Sequence, residues 1–526
     1  MSTFPKQLAA LAASALLSLA SAAEPAPGAN PLLRDRFTAD PAPLVVGDTV
    51  YLYVGHDEAK GSDMFRMNEW LAYSSRDLRH WTAHGTVMKP TDFKWAVRDA
   101  WAAQVVQRGG RFYLYATVQH DDTRPGKAIG VAVADHPLGP FKDARGSALV
   151  AEDTTPSPYG WNDIDPTVFI DDDGSAWLAW GNPALYLARL KDNMTELDGA
   201  IEKLALPNYT EGPWISKRHG RYYMTYAAMA HQGVWEHLAY ATAPSLRGPW
   251  TYQGILTGPA HKSYTIHAGL IDDFKGQSYL VYHNASLTLP DGQSGALGRR
   301  SVTIDYLHYD ADGRMWPVTQ TEAGISVPPT PPAGKVPALP DPGRSDARVA
   351  VQQLAQGYPE AWPGRPALTS VTHPHEQAPE PVGFNRDGGA ARLVQSFTAP
   401  ADIPLARISL YAGDGHGTSA AQTLRLSLQD LDSGTELLGD PQGLSIAYRP
   451  QGAGLLSFDL AGHPPVSLKA GRRYALALQG ERNALTVYWR ASRSDVLAGG
   501  AAALDDRPLI DKQGRSADFA FALYAR

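Results

Sequence analysis

The hydrophobic and polar positions of the chain fall into one layout that recurs five times. Each copy opens on a polar or acidic residue, runs on as an apolar strand, turns at a glycine, and returns as a strand rich in Tyr, Phe or Trp. The copies span 39–58, 98–120, 163–182, 210–229 and 265–284. In each, two runs split by a short glycine turn predict a β-hairpin. Shorter outer-strand patterns follow as LRHWTAHGTV, HPLGPFKDA and SLRGPWTYQG. Four-stranded units at spacings of roughly 45 to 65 residues predict the blades of a β-propeller rather than a sandwich, and five units would close the ring. No amphipathic helices alternate with the strands, which disfavours an α/β barrel.

The propeller is expected over 30–326. From 327 to 348 the sequence becomes VPPTPPAGKVPALPDPGRSDAR, a Pro-rich composition that stays extended and reads as a linker. Beyond it, over 349–526, the alternating segments ARISLYAG, QTLRLSLQDL, GLLSFDLAG, RYALALQG and LTVYWRAS predict a second all-β unit, a jelly-roll-like β-sandwich serving as an accessory domain. The fold class expected is therefore all-β: a five-bladed β-propeller followed by a C-terminal sandwich.

Lys6 precedes a small apolar run at 8–20, and Ala20-Ser21-Ala22 offers a cleavage site. The run is too short to span a bilayer, so 1–22 is expected to be a secretory signal, with the periplasm or the cell exterior as destination. The chain has no Cys, so an exported form must fold without disulfides. A net charge of −7 spread over 526 residues leaves no footprint for nucleic acid or an anionic membrane surface. Thirteen Trp and 24 Tyr suit β cores and the stacking of sugar rings.

In a propeller the innermost strand of each blade ends at a shared funnel. The repeat openings offer Asp40, Asp99 with Trp101, Asp165, Glu211 and His267. Three carboxylates at matching positions of three blades should meet in space. A single Asp-Pro or Glu-Gly-Pro is ordinary turn chemistry at a strand start, but three in register are a functional cluster. Like charges in a partly dry pocket push at least one pKa upward. Glycosidic hydrolysis uses that cost, since one carboxyl must be protonated while another is ionised. Trp101, Trp161, Trp180 and Trp214 lie close to the openings as candidate sugar-pocket walls. The Asp171-Asp172-Asp173-Gly174 run resembles a calcium loop, yet it falls at a hairpin turn and lacks the later bidentate Glu, so it is read as a turn. His267 is a candidate to orient a carboxylate or ligate a channel cation. Arg299 and Arg300 are candidates to pair with an active-site carboxylate or a sugar hydroxyl.

Asp40-Pro41, Asp165-Pro166 within WNDIDPTVFIDDDG, and Glu211-Gly212-Pro213-Trp214 together resemble the three signatures of glycoside hydrolase family 43. The likeness covers 30–327, and LYVGHDE, KAIGVAVADHPLGPFKDARG and SVTIDYLHYD are similar to its arabinofuranosidase and xylosidase members. The resemblance implies an inverting, metal-independent hydrolysis. Asp40 would be the general base, Glu211 the general acid, and Asp165 the residue that tunes and holds Glu211. His267 matches the family's channel histidine, beside a structural calcium in some members, and Arg299 matches a substrate-contacting arginine. Trp101-Ala102-Ala103 departs from the Trp-Ala-Pro of many members. The implied activity is an exo-acting α-L-arabinofuranosidase on arabinoxylan or arabino-oligosaccharides, with no cofactor required. A β-xylosidase with the same site is the alternative, and a non-catalytic glycan-binding propeller is the reading from another class. A third, a metal-dependent hydrolase with His267 and the aspartates as ligands, lacks a dense His/Asp motif. The partner is a pentose-containing oligo- or polysaccharide. The C-terminal unit carries no clear signature of a carbohydrate-binding module; glycan binding and structural support both stand open for it.

Overall fold

A computed structural model describes residues 25–526 apart from 62, 64, 125, 230–235, 337–347, 355–364, 371–376, 385–389, 414–421, 440–442, 449–452, 481–486, 493–494, 506 and 511–513. The signal expected at 1–22 and half of the Pro-rich linker, 337–347, lie outside the described residues. Among the described residues the chain is all-β, with a single 3-10 turn at Pro90–Asp92.

The first sheet holds β1 (Thr38–Val46), β2 (Thr49–Asp57), β3 (Met67–Ser75) and β4 (Thr82–Met88) in chain order. The second holds β5 (Ala96–Arg98), β6 (Ala103–Arg108), β7 (Arg111–His120), β8 (Lys127–Ala134) and β9 (Lys142–Asp143), with β5 and β6 both pairing β7. The third runs β10 (Thr167–Ile170), β11 (Ala176–Trp180), β12 (Leu185–Leu190) and β13 (Leu197–Leu204). The fourth runs β14 (Tyr209–Arg218), β15 (Arg221–Ala228), β16 (His237–Ala243) and β17 (Thr251–Thr257). The fifth has β18 (Gly269–Phe274), β19 (Gln277–Asn284) and β20 (Ser301–Leu307). All pairings are antiparallel meanders, and every predicted hairpin is present.

Each sheet packs on the next through its own apolar cluster. Trp70 and Tyr53 of the first sheet meet Leu114 of the second. Tyr115 and Val131 meet Leu178 and Trp180, Trp177 meets Met224 and Tyr226, and Tyr240 meets Leu280 and Tyr282. Val281 and Ile304 of the fifth sheet then pack on Val54 and Leu71 of the first. A sheet covered on both faces must be apolar on both. Hence the second strands read as nearly unbroken hydrophobic runs instead of alternating ones; Tyr222–Ala228 within β15 is buried throughout. The opening strands touch in sequence, β1 with β6, β6 with β10, β10 with β14 and β14 with β18, and β18 touches β1 again. The segment before β1 adds backbone bonds to the last sheet, Leu32 N–H to Val302 O at 2.7 Å and Thr38 N–H to Arg300 O at 3.0 Å.

Val336, inside the Pro-rich stretch, is buried and tied back to the first unit: its N–H donates to Asp310 Oδ2 at 2.9 Å and its carbonyl accepts from Arg314. Strands between Ala350 and Ala525 form a second unit of paired strands. They wrap a separate apolar cluster that includes Phe397, Leu410, Leu456, Leu476, Trp489 and Phe521. Each of the five segments predicted there contributes a strand, at Ile403–Gly413, Gln422–Asp430, Ala453–Asp459, Arg473–Gly480 and Val487–Ser492, with 485–486 outside the described residues.

Candidate active site

Asp40 and Asp165 sit where β1 and β10 begin, and both have left-handed backbones, with φ of 53° and 58°. Aspartate tolerates that region better than most residues, but each here precedes a proline, which makes it a costly conformation. In the fourth sheet the left-handed residue before the proline is Gly212, at φ 56°. Glu211 is therefore one residue out of step with the two aspartates, and β14 bulges between Glu211 and Trp214 as β1 does between Ala39 and Ala42. The bulges re-aim the opening side chains inward. Asp165 is held by its own N–H donating to Thr117 Oγ1 at 2.9 Å and by the Gly212 N–H donating to its Oδ2 at 3.1 Å.

His267 links the three acids. Its Nδ1 is 3.1 Å from Asp40 Oδ1, and its Nε2 is 3.0 Å from Glu211 Oε1 and 3.6 Å from Asp165 Oδ2. Burial disfavours a charged imidazole, yet the carboxylates of Asp165 and Asp40 outweigh it and raise the His267 pKa well above the ordinary histidine value. The shift favours the imidazolium, which can donate from both nitrogens to the facing carboxylate oxygens. Behind it, His283 is driven the other way by burial and by Arg300. Neutral His283 accepts the Asp40 N–H at Nδ1 (3.2 Å) and donates from Nε2 to Thr265 O (3.0 Å).

Burial would raise the Asp40 carboxyl, but Arg300 and His267 reverse this and hold it well below the usual aspartate range. Arg300 Nη1 is 3.1 Å from Asp40 Oδ1, while its Nε and Nη2 grip the buried Asp57 at 2.8 and 3.1 Å. Asp165 moves in the opposite direction: burial first, with the nearby Glu211 and Asp40 carboxylates, pushes it above the usual range against the pull of His267. One carboxyl kept ionised and a neighbour kept protonated is the division of labour that acid–base hydrolysis uses. Asn182 Nδ2 donates to Glu211 Oε2 at 2.5 Å, fixing the oxygen that His267 leaves open.

These groups line a cavity of about 880 Å³. Trp101 lines it, its Nε1 donating to Phe65 O and its ring covered by Lys127 Nζ at 3.6 Å. Tyr159 and Trp161 stand exposed at 43% and 48%, their ring centroids 5.4 Å apart, and both also line the cavity. Other expected residues fall elsewhere. Trp180 is fully buried against Tyr186 with Nε1 on Asp163 Oδ1, and Trp214 belongs to the core between the fourth and fifth sheets. Arg299 is turned away from the acids, donating to Ser294 O, Ala59 O and Gly61 O, and the adjacent Arg300 takes the place at Asp40. Asp99, the second opening, is neutralised by Lys127. Asn182, Asp57, Arg300 as the carboxylate partner, and the cavity-lining Glu236 complete the site. None of them opens a repeat, so the repeat register carries no signal for them.

Asp165, Glu211 and His267 bring donor atoms within 4.8 Å of one another. Calcium takes about six to eight oxygen ligands, whereas this set offers two carboxylates and an imidazole whose nitrogens face carboxylate oxygens. The residues do not fit calcium held directly by His267.

Residues 29–316 match the family model for glycosyl hydrolases family 43. A xylosidase/arabinosidase of Bacteroides ovatus is 32% identical over 330 residues, taking in 53% of this chain and 94% of the relative. An arabinoxylan arabinofuranohydrolase of Bacillus subtilis (strain 168) is 29% identical over 350 residues, 56% of this chain and 65% of the relative. Among solved structures, a β-xylosidase/α-arabinofuranosidase from a compost microbial metagenome, in complex with xylotriose and calcium-free, is 25% identical with a TM-score of 0.48; the match covers 56% of this chain and 98% of that one.

Proposed function

The chain belongs to glycosyl hydrolases family 43, and we propose that it is an exo-acting, inverting glycosidase that removes terminal α-L-arabinofuranosyl units from arabinoxylan or arabino-oligosaccharides. Asp40, kept ionised by Arg300 and His267, takes a proton from water as that water attacks the anomeric carbon. Glu211, oriented by Asn182 and His267, delivers a proton to the departing glycosidic oxygen. Asp165 supports Glu211 through the Gly212 N–H and through its place beside the same His267 nitrogen.

The observation that carries this reading is the His267 bridge. An imidazole ring with a hydrogen bond at each end separates Asp40 from Glu211. That span suits the ~6.5–9.5 Å gap that admits a water, against ~5–5.5 Å for a retaining pair. A β-xylosidase activity in the same pocket is the second reading, favoured by the Bacteroides ovatus relative whose name joins the two activities. We also infer that the five sheets are the blades of a closed five-bladed propeller, supported by the cyclic packing of opening strands. The second unit would then be a jelly-roll-like sandwich.

The test is hydrolysis of aryl α-L-arabinofuranoside, aryl β-D-xyloside and arabinoxylan oligosaccharides by wild type and Glu211→Ala, with the product anomer read by NMR. Inversion is expected, and the mutant should lose the oligosaccharides while partly retaining the aryl substrates, whose leaving groups need little acid help. Equal rates for mutant and wild type, or a retained anomer, would overturn the assignment.

A further inference from the structure

Glu236 is the acid in this cavity for which the hydrolytic steps have no use. It precedes β16, is 1% exposed, and lines the cavity with Tyr264 and Met229. One oxygen, Oε2, accepts the Ile266 N–H at 3.2 Å. Among the described residues Oε1 has no hydrogen-bond partner, and neither oxygen has a cation against it. A buried carboxyl without a counter-ion is costly, and an apolar side chain would fill the same space without that cost.

Burial first, and then the neighbouring Glu211, raises the Glu236 pKa well above the ordinary glutamate value. Ionising it would add another negative charge beside Glu211 and Asp165, with His267 as the cation that opposes the shift. A neutral carboxyl is chemically distinct from an ionised one such as Asp40: it can donate one hydrogen bond and accept another. A sugar hydroxyl has the same pair of capacities. Sites built to hydrogen-bond a substrate hydroxyl discriminate strongly against analogues lacking it, because the protein group is then stranded.

We propose that Glu236 is a specificity-determining residue whose free carboxyl oxygen hydrogen-bonds a ring hydroxyl of the pentose bound next to Glu211. This rests on the glycosidase reading above and adds to it the residue that recognises the sugar rather than cleaves it. No bond is made or broken at Glu236.

The test crosses the protein with the substrate. Wild type, Glu236→Leu and Glu236→Gln are assayed in the full chain on aryl α-L-arabinofuranoside, aryl β-D-xyloside and the monodeoxy analogues of each. Glu236→Leu is expected to lose kcat/KM at least ~30-fold on the parent glycoside and less than about threefold on the one analogue lacking the partner hydroxyl. Glu236→Gln, which keeps a donor and an acceptor, should stay within about fivefold of wild type on the parent. If the leucine variant fails to fold by circular dichroism, Glu236→Asp runs the same cycle, since one methylene less withdraws the carboxyl from the sugar. An equal loss on the parent and every analogue, or no loss at all, would overturn the proposal. Wild type inactive on all the aryl pentosides would instead overturn the glycosidase reading itself.

Discussion

Gly212 lies so close to His267 that a Cβ at position 212 would come within 2.8 Å of the imidazole Cδ2 and 3.1 Å of Nε2. The same glycine has φ 56° and donates its N–H to Asp165. It therefore serves two purposes: a left-handed backbone that aims Glu211 inward, and room for the ring that bridges Asp40 and Glu211. Gly212→Ala should lower kcat on oligosaccharides by ~10²-fold, because small displacements of catalytic groups are that costly. It should also cost about 1–3 kcal/mol in stability through the strained backbone. Steady-state kinetics with a urea melt checks both, and wild-type kcat in the variant would mean that the His267 position is not needed for turnover.

The acidic limb of the pH–rate profile should belong to Asp40 and answer to Arg300. Arg300 Nη1 is 3.1 Å from Asp40 Oδ1 and holds that carboxyl below its ordinary range. Removing the guanidinium leaves the burial cost opposed mainly by His267, so the Asp40 pKa must rise. Arg300→Met is expected to shift the acidic limb of kcat/KM toward neutral by at least about one pH unit, ~1.4 kcal/mol. Asp57 would be stranded in the same variant, so Arg300→Met with Asp57→Asn is the better-folded form for the measurement. A limb that stays in place would assign the titration to another group.

Asp165 should cost the fold stability in the pH range where it works. Its pKa is raised in the folded state, so the native protein holds that proton more tightly than the unfolded chain does. Stability then falls as pH rises from the ordinary aspartate value of ~3.9 through the folded-state value. Asparagine cannot ionise, and its Oδ1 can still accept the Gly212 N–H. Asp165→Asn is expected to melt about 2–4 °C above wild type at pH 7, with the gap closing toward pH 4, while oligosaccharide turnover drops about tenfold or more. Melting curves of both proteins at the two pH values decide this; identical gaps at both would remove the linkage.

The hairpins were legible because period-two patterning and glycine turns are local signals, and the acids because they open the repeats. What was not legible depended on backbone detail of one residue or less. Arg299 and Arg300 are adjacent, and consecutive side chains of an extended segment point to opposite faces. Arg300 therefore reaches Asp40 while Arg299 turns to the carbonyls of Ala59 and Gly61, a choice the dipeptide itself does not encode. Trp180 went to the core for a similar reason, since its place on β11 faces Tyr186 in the neighbouring strand. The offset of Glu211 from the aspartates follows from which residue before the proline turns left-handed. Glu236 lies outside the repeat copies and Asn182 closes one rather than opening it, so only the folded chain brings them to the cavity.

The exposed pair Tyr159 and Trp161 is expected to serve recognition of the polymer rather than of the cleaved sugar. The acids, His267 and Arg300 are all buried or nearly so, whereas these two rings stand exposed on the same cavity. A monosaccharide seated against Asp40 and Glu211 has its recognition in the buried part, so the exposed rings have a ligand to stack on only when more sugar follows the scissile bond. Aromatic faces contribute roughly 0.5–1.5 kcal/mol to such contacts, which corresponds to about a 2- to 12-fold change in KM. Trp161→Ala should therefore raise KM within that range for arabinoxylan oligosaccharides, leave their kcat nearly unchanged, and leave aryl monoglycosides within about twofold of wild type. A loss on the aryl substrates as large as on the oligosaccharides would place Trp161 in the sugar-cleaving pocket itself. An unchanged KM on the oligosaccharides would mean that the chain beyond the bond takes another path across the surface.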